Sequence, residues 1–168
     1  IYKDGKFFRE IWAKTWDPDE RIADYARFGV QVQVISTVPV MFSYWAKPHH
    51  ALELHQALND HMAQTCRAYP RHFAGIGTVP LQSPRLAVQE LERCMDQLNL
   101  RGVQIGSHVN DWNLDAEELR PFFEAAQDLC LLHDEPLGGE HLVGFRLGVV
   151  AYAIEPSREG GVPRAALR

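Results

Sequence analysis

Asp17-Pro18-Asp19-Glu20-Arg21-Ile22-Ala23-Asp24-Tyr25-Ala26-Arg27-Phe28-Gly29, running straight into Val30-Gln31-Val32-Gln33-Val34-Ile35-Ser36-Thr37-Val38, is the stretch whose reading decides the fold. Asp17 suits an N-cap, Pro18 the first helical position, and Glu20 the carboxylate of a capping box. Ile22, Tyr25 and Phe28 then recur at helical spacing until Gly29 ends the helix. The β-branched run that follows reads as a strand. Its alternating glutamines give it one polar face, suited to a barrel centre or a cleft.

The same phrase recurs along the chain. Residues 49–69 lead into Phe73–Pro80, residues 83–98 into Gly102–Ser107, and residues 115–129 into whatever follows Leu131. The second helix carries Leu54, Leu58, Met62, Cys66 and Tyr69 on one stripe, and Pro70 closes it. The third starts with Ser83 as cap and Pro84 in its first turn, then shows Val88, Leu91, Met95 and Leu98. In the fourth, Pro121 predicts a short turn opened by Asp115, then a helix from about Arg120 whose apolar side is Phe122, Phe123, Ala126 and Leu129. Alternation of helix and strand builds a parallel sheet covered by helices, with the chemistry on the loops after the strands. Those loops are residues 36–48, 78–83 and 106–114.

Composition narrows the function classes. The 168 residues are 46% hydrophobic and 23% charged, ordinary values for a globular protein. A net charge of −5 gives no reason to expect nucleic acid or an acidic membrane as partner. No apolar run approaches the roughly 20 residues that span a bilayer, and no signal peptide opens the chain. Cys66, Cys94 and Cys130 are far apart in helical patterns and read as small buried hydrophobes in a reducing compartment. The expectation is a cytosolic protein. The chain opens on Ile1, which suggests an incomplete N-terminus. Residues 137–168 turn rich in Gly, Pro and Arg, so the chain divides into a barrel portion, 1–136, and a divergent tail, 137–168.

Three places could carry chemistry. The loop Ser36–Trp45 is aromatic and apolar where loops are usually polar, so it is either a pocket wall or subunit contact, or a loop tucked under a neighbouring helix. His108, in Gly106–Trp112, could bind a ligand or act as acid or base, or could be an ordinary hydrogen-bonding loop residue. Lys3, Lys6 and Arg9 beside Phe7, Phe8 and Trp12 suit a conjugated ligand with carboxylates, although solvated cations on a hairpin are common. Dinucleotide, phosphate-loop and nucleophile-elbow motifs are missing, as are His-x-His and His-x-x-x-His pairs. His49, His50, His55 and His61 are expected to face solvent around the second helix.

Lys3-Asp4-Gly5-Lys6 with Arg9, Trp16-Asp17-Pro18, the run Ser36–Pro48, and Gly102-Val103-Gln104-Ile105-Gly106-Ser107-His108-Val109-Asn110 resemble the amidohydrolase-like metal-dependent decarboxylases, in particular the branch that acts on aminocarboxymuconate semialdehyde. The resemblance covers about residues 2–130. It implies an α/β fold, a (β/α)8 TIM barrel of the metal-dependent hydrolase type with about half present. It also implies non-oxidative, zinc-dependent decarboxylation of a small carboxylated substrate in tryptophan and kynurenine breakdown, by a homodimer. A zinc ion in this setting activates a water. Lys3 and Arg9 match the family's substrate-binding cations. His133, in Leu131-Leu132-His133-Asp134-Glu135-Pro136, stands near the place of a metal ligand that the family carries in a Val-His-Pro-Trp-Asp run. The family's first-strand His-x-His would precede Ile1, and its later metal ligands come from the second half of the barrel. The chain alone is therefore expected to be an incomplete, inactive form of the decarboxylase, or alternatively a non-catalytic truncated partner that pairs with the full-length enzyme and modulates it.

Overall fold

A computed structural model of the chain describes residues 2, 3, 5–132 and 149–152. The chain opens with an antiparallel hairpin, β1 (Tyr2–Lys3) and β2 (Lys6–Phe7), turned by Gly5 at a φ of 73°. A 3-10 turn over Ala13–Thr15 leads into α1 (Pro18–Ala26). The helix starts as its sequence dictates: Asp17 Oδ1 accepts from the N–H groups of Asp19 and Glu20 at 2.9 and 3.2 Å. Gly29, at a φ of 71°, takes the left-handed conformation after the last turn.

Strand β3 (Gln33–Ile35) is shorter than the run Val30–Val38. Its length is set by its partner, because only residues 33–35 face the ladder of β4 (Phe73–Gly75). Between them lie a 3-10 turn over Pro39–Phe42 and the long helix α2 (Pro48–Ala68). After β4 come β5 (Gly77–Thr78) and α3 (Pro84–Glu92), which runs into a wide π-type turn over Arg93–Gln97. Then follow β6 (Val103–Gly106), a small hairpin of β7 (His108–Val109) and β8 (Trp112–Asn113), and a 3-10 turn over Glu117–Leu119. Helix α4 (Arg120–Leu132) comes next, and β9 (Val149–Tyr152) is the last described element. Pro121 thus sits in the first turn of α4, behind a separate short turn, as its missing N–H requires.

The strand expected over Phe73–Pro80 changes partner midway. The Ile76 N–H donates to Ile35 O at 2.9 Å, and the Gly77 N–H donates to Gly102 O at 2.9 Å. Residues 73–75 therefore belong to β3, and residues 77–78 to β6. The result is a run of parallel strand positions, 33–35, 73–78, 103–106 and 149–152, each separated from the next by helix. A closed barrel of this kind has eight strands. The described chain is a partial (β/α)8 barrel.

Helices α2 and α3 pack directly onto strand backbone. A Cβ on Gly75 would lie 2.8 Å from Leu100 Cδ2 and 2.9 Å from Met62 Cγ, and one on Gly77 would lie 2.9 Å from Cys94 Sγ. Val79, Leu81, Leu91, Val103, Ile105 and Phe122 form the centre of the core on this helix side.

Two expectations need correction. The deepest stripe of α2 is Ala51, His55, Asn59 and Ala63, while Leu54, Leu58, Met62 and Cys66 are only half-buried. The alanines let the helix approach closely, and the two polar residues satisfy backbone groups that this approach would strand. His55 is fully buried rather than solvent-facing; His49, His50 and His61 are exposed. Ser83 does occupy the N-cap of α3, but its hydroxyl makes no capping bond, and its carbonyl accepts from the Ala87 N–H at 2.9 Å.

Asn59 is the joint between the layers. Its Oδ1 accepts from the Thr78 N–H at 2.8 Å, and its Nδ2 donates to Thr78 O at 2.9 Å and to Glu90 Oε1 at 2.7 Å. Arg93 closes on Glu90 through Nε and Nη2, both at 2.9 Å, and reaches Asp60 at 2.6 Å. A buried carboxylate is tolerable only with such pairing. Replacing Asn59 by Ala strands both Thr78 backbone groups and one Glu90 oxygen. Urea denaturation should show a loss of about 2–4 kcal/mol, and Asn59→Asp should be at least as harmful because it sets a second carboxylate against Glu90.

Candidate functional site

The C-terminal ends of β3, β5 and β6 carry three loops, and the aromatic loop after β3 ties them together. Pro39 starts its 3-10 turn, and Ser43, at a φ of 49°, ends it. That reversal sends Phe42 and Tyr44 inward, where their rings stack at 5.7 Å with 21° between planes. Phe42 is 1% exposed and Tyr44 8%, whereas Trp45 is 84% exposed and Val38 and Val40 also face out. The tucked reading of this loop therefore holds at Phe42 and Tyr44, while Val38, Val40 and Trp45 are presented at the surface.

Hydrogen bonds fix the loop from every side. The Tyr44 hydroxyl accepts from the Gly106 N–H at 3.1 Å, at the end of β6. Asn110 Nδ2 donates to Tyr44 O at 3.0 Å. Gln82 Nε2 donates to Ser43 O at 3.4 Å and Ala46 O at 3.2 Å. His55 Nε2 reaches Met41 O at 3.2 Å and Phe42 O at 3.0 Å. Since both partners are carbonyls, Nε2 carries the proton, and the buried Nδ1 has no partner. Burial pushes the Tyr44 phenol up to about 12, so it stays neutral and keeps its role as acceptor.

The residues singled out from sequence are scattered around this frame. Lys3 stands on β1 opposite Lys6. Arg9 lies just past β2, exposed, with its guanidinium carbon 5.5 Å from the centre of the Phe8 ring. Lys3 and Lys6 are thus on a hairpin and Arg9 follows it, with Phe7, Phe8 and Trp12 exposed nearby. His108 is half-buried on β7, with Nδ1 3.4 Å from Ser107 Oγ. His133 lies outside the described residues. Sequence reasoning missed Thr78 and Gln104, register partners on β5 and β6. Val103, Ile105 and the bare Cα of Gly77 face the helices. Strand alternation therefore turns Thr78 and Gln104 to the opposite face, the inside of the barrel. Thr78 Oγ1 and Gln104 Oε1 are buried there without hydrogen-bond partners among the described residues. The alternating Gln31 and Gln33 do not reach this inner face. Gln33 shares its strand face with Ile35, on the helix side, and both glutamines line a cleft beside Ile22 and Ala26 of α1, so of the two expected places the cleft, not the barrel centre, receives them.

Divalent metal sites in proteins need three or more convergent N, O or S ligands. Among the described residues no three His, Cys, Asp or Glu side chains come together in that way, and His108 is the imidazole on the described strand-end loops. These residues alone do not fit a bound metal.

The fold and the interlocked strand-end loops define a segment of a (β/α)8 barrel. The family model described as Amidohydrolase matches residues 9–134, and the chain belongs to that family. It is 54% identical over 126 residues to 2-amino-3-carboxymuconate-6-semialdehyde decarboxylase of Dictyostelium discoideum, covering 75% of this chain and 35% of that protein. It is 33% identical over 151 residues to the decarboxylase of the same name from Caenorhabditis elegans, covering 78% of this chain and 37% of that one. Among solved structures, 5-carboxyvanillate decarboxylase from Novosphingobium aromaticivorans, with manganese and a nitrobenzoic acid bound, superposes with a TM-score of 0.62 at 32% identity, over 66% of this chain and 32% of its own. The chain spans about a third of the length of the curated relatives it matches.

Burial holds the His55 imidazole below its usual pKa, against the two carbonyls and Glu90, which favour its charged form. A depressed pKa in the fold means that the unfolded chain binds the extra proton more readily. Stability is therefore fully present above the ordinary imidazole value of about 6.5 and is lost as pH falls through it toward the folded value. Melting temperature should drop between neutral pH and pH about 5.5, with backbone amides of residues 39–45 exchanging faster. His55→Gln, which keeps a donor for the carbonyls, should flatten that dependence.

Proposed function

We propose that the chain is part of a metal-dependent, non-oxidative decarboxylase whose substrate is 2-amino-3-carboxymuconate 6-semialdehyde, acting in cytosolic tryptophan and kynurenine breakdown. The observation that carries this reading is the 54% identity to a decarboxylase of that name over three-quarters of the chain. In this reading Lys3 and Arg9 hold the substrate's carboxylates, because one cation on the hairpin and one just after it match a dianion and the guanidinium gives a forked, bidentate grip. The aromatic loop supports the mouth of the barrel, since its tethers keep the three strand ends in register without occupying the rim. Zinc is the proposed metal. It would supply a water activated at neutral pH, with His133 as one ligand and the others from outside the described residues. The family barrel portion is residues 1–136, with 137–168 as a separate tail.

A chain spanning a third of its relatives' length, with four barrel strand positions among its described residues, is expected to bind substrate and not to turn it over. Mixing the purified chain with substrate should leave the substrate's absorbance unchanged with or without added zinc. Binding of a muconate dicarboxylate should weaken about tenfold in Arg9→Ala, the scale of one lost charge-assisted contact. Equal binding by wild type and Arg9→Ala would remove Arg9 from the site. A second reading, a non-catalytic partner that pairs with the full-length enzyme as a dimer, is favoured by the outward-facing Val38, Val40 and Trp45. Co-elution with the intact enzyme, lost on Trp45→Ser, is the outcome it requires.

A further inference from the structure

A cavity of about 300 Å³ opens between α1 and α2, on the helix side of the sheet. Its floor is Ile35, Leu58, Met62 and Phe73, and Trp16 stands at its edge. Ile35 is the register partner of Gly75, whose missing Cβ faces Met62 and Cys66 on α2. The cavity therefore lies on the opposite face of the sheet from Thr78 and Gln104. It is separate from the inside of the barrel.

The lining has the make-up of a small-molecule site: an apolar, aromatic floor with a few placed polar groups. Arg21 is the fixed cation among them. It and His61 line the space together with the hydroxyl residues Thr15, Ser36, Thr37 and Thr65, and among the described residues no Asp or Glu does. Arg21 is anchored, its Nε donating to Lys14 O and its Nη2 to Thr15 O, both at 3.2 Å. Thr65 Oγ1 is turned back to His61 O at 3.0 Å. The side that bears Arg21 is braced in turn by the Asp17 cap and the 2.8 Å ion pair of Lys14 with Asp24. A guanidinium held by backbone carbonyls beside aromatic rings selects for a planar carboxylate, through charge and through ring contact.

We propose that this cavity binds a small planar aromatic carboxylate at a site distinct from the barrel mouth. Its wall, Ser36–Val38, continues directly into the Pro39–Trp45 loop, so an occupant would touch the segment that organises the strand ends. The site does not depend on the decarboxylase reading, and it uses neither Lys3 nor Arg9.

Isotope-labelled full chain can be titrated with 2-naphthoate and, separately, with the uncharged 2-naphthamide. The naphthoate should shift the Trp16 indole N–H, the Thr65 methyl and the His61 ring, and bind at least tenfold tighter than the amide. Arg21→Gln should reduce that preference below twofold, and Arg9→Ala should leave it intact. Because Arg21→Gln also loosens the 13–15 turn, Thr65→Phe provides a second variant. It should fill the cavity and abolish binding while the melting temperature stays within a few degrees of wild type. Equal affinity for the two probes, a preference that survives Arg21→Gln, undiminished binding in Thr65→Phe, or shifts confined to the 2–9 hairpin would each overturn the proposal. So would the absence of any shift with either probe.

Discussion

The side chain of Asn59 does for β5 what a neighbouring strand would do. It offers Thr78 both an acceptor and a donor, at 2.8 and 2.9 Å, inside a core where neither backbone group could find water. A polar group buried without a partner costs about 1–3 kcal/mol, so α2 can sit this close to the sheet only because Asn59 is there. Glu90 holds Asn59, and Arg93 holds Glu90, which locks α2, β5 and α3 to one another. Glu90 raises the pKa of Arg93 still further, so the guanidinium stays charged at any pH the fold survives. Burial, and after it the same carboxylate, push the Cys94 thiol up, which leaves that sulfur an inert packing group.

The strand ends inherit their order from this joint. With β5 fixed against α2, Gln82 is in place to hold the aromatic loop, and His55, one turn before Asn59 on the same stripe, holds it from below. Tyr44 then bridges to Gly106 and carries the order across to β6. A loop this apolar would otherwise collapse or aggregate. Here its two inward rings are packed and its main chain is tied at residues 41–46. What remains exposed, chiefly Trp45, is presented on a fixed frame rather than on a loose segment. That separation of tucked and presented residues makes the loop useful at the mouth of a barrel, whichever molecule meets it.

Family membership and site geometry carry different parts of the functional argument. The match over residues 9–134 and the similarity to decarboxylases assign the family and point to its chemistry. The described residues supply a framed strand-end surface, a basic hairpin and an inward-facing pair, Thr78 and Gln104, without a convergent set of metal ligands. The hairpin cations were legible as a cluster because side chains on a two-residue hairpin are neighbours by necessity. His108 was legible as a loop residue, and among the described residues its ring hydrogen-bonds Ser107 and no group that would mark it as acid or base.

By itself the sequence determined what depends on residues a few positions apart: the Asp17 cap and Pro18 start of α1, the Gly29 stop, the turn before Pro121, and the alternation that makes the sheet parallel. These are local choices, fixed by backbone sterics and by hydrogen bonds within one turn of helix. Only the tertiary structure decided which stripe of α2 is deepest. Leu54, Leu58 and Met62 outscore His55 and Asn59 on hydrophobicity, yet the polar pair is buried because it answers carbonyls and N–H groups that lie 13–19 residues away. It also decided that residues 73–78 serve two neighbours and that Val149–Tyr152 pair with β6. Strand pairing is a contract between segments distant in the chain, and neither segment carries the other's address.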